Sequence, residues 1–533
     1  MATIPDSDEL GTVPTLDPDD GGKGLKTGAL GLMSSLVIGV ASTAPAYSLA
    51  ASLGFVTLSV GIFAPSVMLL AFIPMLFIAA AYFYLNRADP DCGTTFTWVT
   101  RAIGPKSGWM AGWGILVTDL VVMPSLAQIA GSYTFSLFGA NGLANSTFWV
   151  TFVGVIWIAV MTLICYIGIE LSARTQVGLL GAELIILVAF SVVALAKVYG
   201  GHVAHSLHPT LQWLNVFNIK SVSALSVGML TAVFIYWGWD TAVTVNEESK
   251  DSKRTPGIAA RLSTLVLLGV YVVVSFAAQA YHGASFLTNN STDVLGALGH
   301  DVLGSPWDKL LIIAVLTSAS ASTQTTILPA ARSSLSMAVH KAVPKQFAQI
   351  SPKHLTPGFA TILFGVISIV WYVGLTMLSS DVLANSILAL GFGISFYYAM
   401  TGYACVIYYR RLIFKTLKNF LFIGLAPLLG ALMLTFIFFD AFFYYSNPGN
   451  SNSGQTAWFT FIHFNVHIGS LHLHAHGLGP PLVIGVGLLL VGLPLMLFWK
   501  FRHPEFFKRE REAAVSLDAS APPLTQGVKA VVD

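Results

Sequence analysis

Twelve times between residues 29 and 502 the chain runs for roughly 20 residues or more with hardly a charge: at 29–55, 61–85, 109–138, 148–168, 176–198, 221–245, 261–282, 309–331, 358–378, 382–407, 420–446 and 480–502. About 20 apolar residues in helical conformation cross the hydrocarbon core of a bilayer. Inside hydrocarbon each backbone polar group must find its partner within the protein, which leaves helices or a closed barrel. Runs this long and this evenly apolar read as helices. Only 10% of the residues are charged and 55% are hydrophobic, against about 25% charged in ordinary soluble domains. A soluble fold of this composition would aggregate. The expected fold class is all-α integral membrane, with twelve transmembrane helices.

The charges set domain limits and orientation. The first 20 residues hold Asp6, Asp8, Glu9, Asp17, Asp19 and Asp20 and no Lys or Arg. A secretory signal needs the opposite sign and an apolar core, so residues 1–22 read as a disordered acidic tail. Residues 23–502 form the transmembrane domain. Residues 503–533 read as a cytoplasmic C-terminal tail, its last part rich in Ala, Pro and Ser. If both termini are cytoplasmic, 24 of the 27 Lys and Arg residues fall on the inner side, and Lys197, Lys220 and Lys309 remain outside. Such a bias is the positive-inside pattern. It predicts a multi-pass protein of the plasma membrane. Cys92, Cys165 and Cys405 are scattered, so neither a disulfide framework nor a zinc site is implied. A net charge of +2 gives no reason to expect nucleic acid.

Two of the spans carry built-in weak points. In the first, Gly39-Val40-Ala41-Ser42-Thr43-Ala44-Pro45-Ala46-Tyr47 places a proline near mid-bilayer. Pro45 has no N–H and crowds the carbonyl of Ala41. In the sixth, Phe234-Ile235-Tyr236-Trp237-Gly238-Trp239-Asp240 sets a glycine between two tryptophans, followed by an acid. A centred charge costs at least about 2.5–3.5 kcal/mol on insertion scales, and a simple anchor has no use for it. Pro and Gly also merely kink membrane helices. Paired interruptions five spans apart, one beside Asp240, instead predict two five-helix repeats with helices 1 and 6 broken at a shared midplane site.

The sixth-span run FIYWGWDTAVTVNEESKDSKRTP resembles a pattern of the amino acid–polyamine–organocation (APC) permeases: aromatic-x-aromatic-x-Gly-aromatic-acid, then Glu-Glu-x-Lys-Asn/Asp-Pro. Three further segments agree with it. Tyr82 to Gly112 is similar to the first cytoplasmic loop and the start of span 3. CYIGIELSARTQVGLLGAELIILV is similar to the end of span 4 and span 5. Thr317 to Pro357 is similar to span 8 and its loop. The resemblance covers about residues 24–502 and carries no substrate specificity. It implies two inverted five-helix repeats plus two additional helices, and transport of amino acids or amines. In span 1 the family usually has Gly-x-Gly at the unwound turn, where this chain has Ser42-Thr43-Ala44-Pro45. Phe234 falls where the family places a gating aromatic. Glu183, in span 5, falls where some sodium-independent members carry a lysine.

An amino-acid substrate brings a carboxylate and an ammonium into low dielectric. The carboxylate suits free N–H groups at a half-helix N-terminus, which a break in span 1 supplies. The ammonium suits carbonyls at the span 6 break and an aromatic face. The expected substrate residues are therefore Ser42, Thr43, Ala44, Phe234, Tyr236, Trp237, Gly238 and Trp239, although any one ring could instead pack in the core or against lipid. Glu183 has no basic neighbour at helical spacing. A carboxyl so placed can exchange a proton near neutrality, and it is expected, with Asp240 and Ser318, to carry ion or proton coupling. Ser320, Ser322 and Thr323 could ligate sodium but read better as close-packing residues. Asp119 is open, and Asp440 reads as structural. His463, His467, His472, His474 and His476, before the last span, have spacings that can bind metal. A polar external loop is the simpler reading, and no metal or cofactor is expected.

The sequence thus predicts a secondary transporter working by alternating access on amino acids or related amines, with proton coupling and sodium as the alternative ion. No P-loop for ATP is present. A metal-ion or other organic-cation carrier on the same broken-helix fold is the nearest rival. A non-transporting membrane sensor is another. A membrane enzyme would need clustered nucleophiles, bases or metal ligands, and no His lies mid-span, so no catalysis is expected.

Overall fold

Proline and glycine divide the apolar runs into the helices of the structure. It is a computed structural model that describes residues 23–201, 203–204, 206–378, 382–447, 458–468 and 471–509. The acidic tail 1–22 and residues 510–533 lie outside the described residues.

The first run breaks into α1 (Leu32–Ser42) and α2 (Pro45–Val60). Pro45 opens a new helix, a position where its missing N–H leaves nothing unsatisfied. α3 (Ala64–Ala88) and the amphipathic α4 (Thr95–Ala102) follow, then α5 (Pro105–Leu137) and the single turn α6 (Asn141–Ala144). α7 (Thr147–Ile167) and α8 (Ile169–Tyr199) are separated only by Gly168, at φ +147°, a conformation open to glycine. The sixth run breaks into α9 (Val222–Ile235) and α10 (Thr241–Thr244). Next come α11 (Thr255–Asn289), α12 (Val294–Leu303), α13 (Asp308–Val339), α14 (Gly358–Leu378) and α15 (Val382–Tyr408). α16 (Leu417–Asn419) leads through a wide turn into α17 (Ala426–Tyr445), and α18 (Pro480–Leu482) leads into α19 (Leu488–Arg502).

Among the described residues ten helical stretches are long and apolar enough to cross a membrane. The first of them, Leu32–Ala88, is a 57-residue run that holds α1, α2 and α3. α9 is too short to count among them, because its span is interrupted. The twelve apolar runs of the sequence thus all fall on helix.

One element departs from the all-helical expectation. The histidine-rich stretch read as a loop is a two-stranded antiparallel ribbon, β1 (Trp458–Ile468) with β2 (Leu471–Leu478). In its register His463 faces His476, Asn465 faces His474, and His467 faces His472. Alternating Phe, Val, Ile and Leu between the polar residues supply the period-two pattern of a ribbon.

α13 lies at the centre. It packs against α1, α2, α5, α7, α8 and α14. Its stretch Ser318–Thr326 is buried on every side, as small residues permit. Phe148, Phe152 and Ile156 of α7, Val366 and Val370 of α14, and Phe436 and Phe439 of α17 point outward. An outer surface this apolar is solvated by lipid rather than water.

Candidate functional site

The break in the first run is sharp. α1 ends at Ser42, and Ala44 takes the left-handed conformation at φ +47°, which costs a non-glycine residue about 1–2 kcal/mol. The structure answers the polar groups this frees. The Ser42 carbonyl accepts from Ser322 Oγ at 3.0 Å, and the Thr43 carbonyl accepts from Ser48 Oγ at 2.6 Å. Thr43 Oγ1 donates back to the Val40 carbonyl at 2.7 Å.

The N–H groups at the start of α2 are not bare. The Ala46 N–H donates to Glu183 Oε1 at 2.6 Å, and the Tyr47 N–H donates to Ser318 Oγ at 3.2 Å. Ser318 Oγ also donates to Glu183 Oε1 at 2.8 Å. Two residues expected to share a coupling role therefore sit in contact, brought together from α8 and α13. A negative side chain suits the positive end of a helix dipole. Glu183 is fully buried, and its second oxygen, Oε2, has no partner.

The break in the sixth run lies against the first. α9 ends at Ile235, and Gly238 stands at φ +117°. A Cβ added to Gly238 would lie 2.7 Å from the Ser42 carbonyl oxygen, so the two backbones touch only because the residue is glycine. Ser42 Oγ and Thr241 Oγ1 are 2.8 Å apart. Phe234 meets Tyr47 edge to face at 6.2 Å between ring centroids. Tyr236 packs between Phe72 and Tyr271, its hydroxyl buried without a partner. Ser42, Thr43, Ala44, Phe234, Tyr236 and Gly238 therefore gather around one contact.

Trp237 and Trp239 serve a different neighbour. Asp240 is buried, and its carboxylate accepts from the hydroxyls of Tyr398 at 2.9 Å and Tyr397 at 3.0 Å, with Tyr82 at 3.5 Å. The Trp237 indole N–H donates to the Tyr397 hydroxyl. The Trp239 ring lies between Tyr82 and Tyr398, with centroids at 5.1 and 5.2 Å. Asp119 is buried on α5, and among the described residues one of its oxygens has no hydrogen-bond partner. The tyrosine cage escaped the sequence reading. Its one signal was the Tyr397-Tyr398 pair inside an apolar run. Asp440, on α17, belongs to neither cluster.

The end of the sixth run is latched. Glu248 forms a two-pronged ion pair with Arg332, at 2.5 and 2.8 Å, both side chains buried. Arg332 is thus a core residue of α13. Asn246 Nδ2 donates to Asn86 Oδ1 at 2.7 Å. Leu30 and Glu248 pair backbone to backbone at 3.0 Å. The Lys23 ammonium bridges Asp91 at 2.7 Å and Glu247 at 2.5 Å. Burial pulls the Lys23 ammonium down, but Asp91, Cys92 and Glu247 outweigh it and leave its pKa raised. Burial pushes the Asp91 carboxyl up, but Lys23 and His340 outweigh it and leave its pKa lowered. Asp91, Cys92 and Glu247 are the one group among the described residues close enough to share a metal ion, and the Lys23 ammonium stands among them. Towards the other end of α5, about 35–40 Å along its axis from Pro105, a cavity of about 740 Å³ is lined by Gln128, Tyr133, Asn145, Thr292 and Asp293.

Two interrupted helices in contact, each with a buried carboxylate beside it, form an intramembrane polar site of the kind carriers use. Comparison with known proteins agrees. Residues 28–468 match the family model described as amino acid permease. An uncharacterized transporter of Mycobacterium tuberculosis (strain ATCC 25618 / H37Rv) is 26% identical over 73% of this chain and 81% of its own length. A low-affinity putrescine importer of Escherichia coli (strain K12) is 22% identical over 69% and 78%. A branched-chain amino acid permease of Lactococcus lactis is 22% identical over 43% and 51%. With the family match spanning most of its length, the chain belongs to the amino acid permease family.

Proposed function

We propose that the chain is a secondary active transporter that moves amino acids or related amines across the plasma membrane by alternating access, with proton coupling. The observation that carries the reading is the contact of the two helix breaks, Gly238 against the Ser42 carbonyl. A transporter needs irregular backbone at mid-membrane and a seam along which two bundles can rock, and touching half-helices supply both. In this reading α1 with α2 is span 1 and α9 with α10 is span 6 of twelve. They head two inverted five-helix repeats, and the segments ending in α17 and α19 are the two additional helices. Both termini are cytoplasmic. The Lys23 and Arg332 latch closes the cytoplasmic side, and the cavity at the other end of α5 opens outward.

Ser42, Thr43, Ala44, Phe234, Tyr236 and Gly238 line the substrate path. Trp237 and Trp239 position Asp240 through the tyrosines. Glu183 and Ser318 carry the coupling. A carboxylate at Glu183 accepts both the Ala46 N–H and the Ser318 hydroxyl. A protonated Glu183 holds them more weakly, which frees α2 to move against α8 and α13. The substrate class is supported by relatives that carry putrescine and branched-chain amino acids.

The test is uptake into proteoliposomes of the full chain under an imposed proton gradient, over a panel of amino acids and amines. Accumulation driven by external acid, lost in Glu183→Gln, is the expected result. A Glu183→Gln protein that keeps wild-type dependence on external pH removes the coupling role. Uptake that follows sodium and ignores the proton gradient removes proton coupling altogether. No accumulation of any panel member above protein-free vesicles removes the transporter reading.

A further inference from the structure

Resting on that reading, we infer that the substrate is an amine without a carboxylate of its own, because the glutamate side chain of Glu183 already occupies the place such a carboxylate would take. A half-helix N-terminus offers the N–H groups of its first turn to an anion. At α2 each one is accounted for. The Ala44 N–H donates to the Ala41 carbonyl at 3.1 Å. Pro45 has no N–H. The Ala46 N–H goes to Glu183 Oε1 and the Tyr47 N–H to Ser318 Oγ. The Ser48 N–H closes the first helical bond, to the Ala44 carbonyl at 2.8 Å. No donor of the turn is left for a substrate anion: the Glu183 carboxyl takes the Ala46 N–H, and the Ser318 hydroxyl bonded to that carboxyl takes the Tyr47 N–H.

The charge around the two breaks points the same way. Glu183, Asp240 and Asp119 are all buried there. The buried arginines lie elsewhere: Arg332 pairs with Glu248 at the latch, and Arg101 lies by Asp89 in the α3–α4 connection. While Glu183 is ionised, a carboxylate brought beside it would set like charges together in a desolvated site, which is strongly unfavourable. An ammonium meets the opposite situation. Glu183 Oε2 is buried and has no partner among the described residues, and it is an acceptor that a cation can use. The tyrosine and phenylalanine rings of Tyr47, Phe234 and Tyr236 around the breaks add apolar and cation-attracting surface. The site thus suits a positive head on an apolar stem.

The discriminating probes are pairs that differ only by a carboxylate: ornithine and putrescine, arginine and agmatine, lysine and cadaverine, leucine and isoamylamine. Each is offered to the purified full-length protein in a thermal-shift titration and, labelled, to proteoliposomes. The amine of at least one pair is expected to bind about tenfold or more tightly than its amino acid. In Glu183→Ala the Ala46 N–H is released while the Tyr47 N–H keeps Ser318, and that ratio should fall towards one as the amino acid gains. An amino acid that binds the wild-type protein as tightly as its amine, or more tightly, overturns the inference while leaving the permease reading in place. Silence from every amine together with every amino acid overturns both. The wild-type ratio stands without the variant, so a Glu183→Ala protein that fails to fold does not protect the idea.

Discussion

Gly238→Ala puts the contact between the two breaks under direct strain. The added methyl would lie 2.7 Å from the Ser42 carbonyl oxygen, 2.8 Å from its carbon and 3.0 Å from Ser42 Oγ. Two of these are backbone atoms at the end of α1. They cannot retreat alone, because the carbonyl is bonded to Ser322 and the hydroxyl to Thr241. The residue also stands at φ +117°, where a side chain costs about 1–3 kcal/mol. Forcing a methyl into a packed contact adds about 1–3 kcal/mol, for about 2–6 kcal/mol in all. If the strain falls on the state in which the breaks touch, the lower figure already slows the cycle about 30-fold. The matched control is Gly269→Ala, at an exposed helical position of α11 with nothing within 4 Å of the new methyl. There alanine should be neutral or gain up to about 1 kcal/mol. Initial uptake rate at equal protein content, with the apparent melting point in detergent, reads both variants. A Gly238→Ala protein within twofold of wild type in uptake, and melting like the control, would refute the packing of span 6 onto span 1.

The latch and the cage give three further tests. Arg332→Met strands Glu248 in the core and should cost about 3–5 kcal/mol, whereas adding Glu248→Leu should recover most of it; melting points of the single and double variants decide, and a double variant worse than the single would contradict the pairing. Burial, opposed by Asp91, pulls His340 down to about 4, below its ordinary 6.5, so the unfolded chain binds more protons and stability is lost as pH falls from about 6.5 through 4. The Lys23–Asp91 pair adds no step in the neutral range, since Asp91 is held low and Lys23 high. His340→Gln should flatten the melting-point decline over that window, and an unchanged slope would exclude His340 as its source. Tyr397→Phe should lower the melting point more than Tyr398→Phe, because the Tyr397 hydroxyl serves both Asp240 and Trp237, each charge-assisted bond being worth about 1.5–3 kcal/mol; equal effects would separate Trp237 from the cage.

Where these elements were legible in the chain, the reason is local. A run of apolar residues needs no knowledge of its neighbours to demand a helix, and every run from 29–55 to 480–502 is largely helical, the first and sixth being split in two. Pro45 and Gly238 act on their own backbones, so both interruptions could be placed to within a residue or two. The ribbon at 458–478 was missed because its alternation was read as loop chemistry from its histidines, while the intervening Phe, Val, Ile and Leu carried the strand signal. The partner of Arg332 was not legible because charge bias is counted along the sequence, whereas the ion pair is made with Glu248, 84 residues away.

The same contrast explains why the site was half visible. A break in a membrane helix creates a definite need, since each freed N–H and carbonyl must be answered where water is absent. The sequence states that need at Ser42–Pro45 and cannot name what meets it. The answer comes from Glu183, 137 positions from the amide it caps, and from Ser318, 271 positions from Tyr47. That choice bears on the chemistry first expected. Left bare, the start of α2 would attract an anion. Capped by an ionised carboxylate, it would repel one, and under the inference above the helix end is part of a site for cations. On that inference, substrate preference is set by the residue that reaches the break from a distant helix, and less by the residues that make the break.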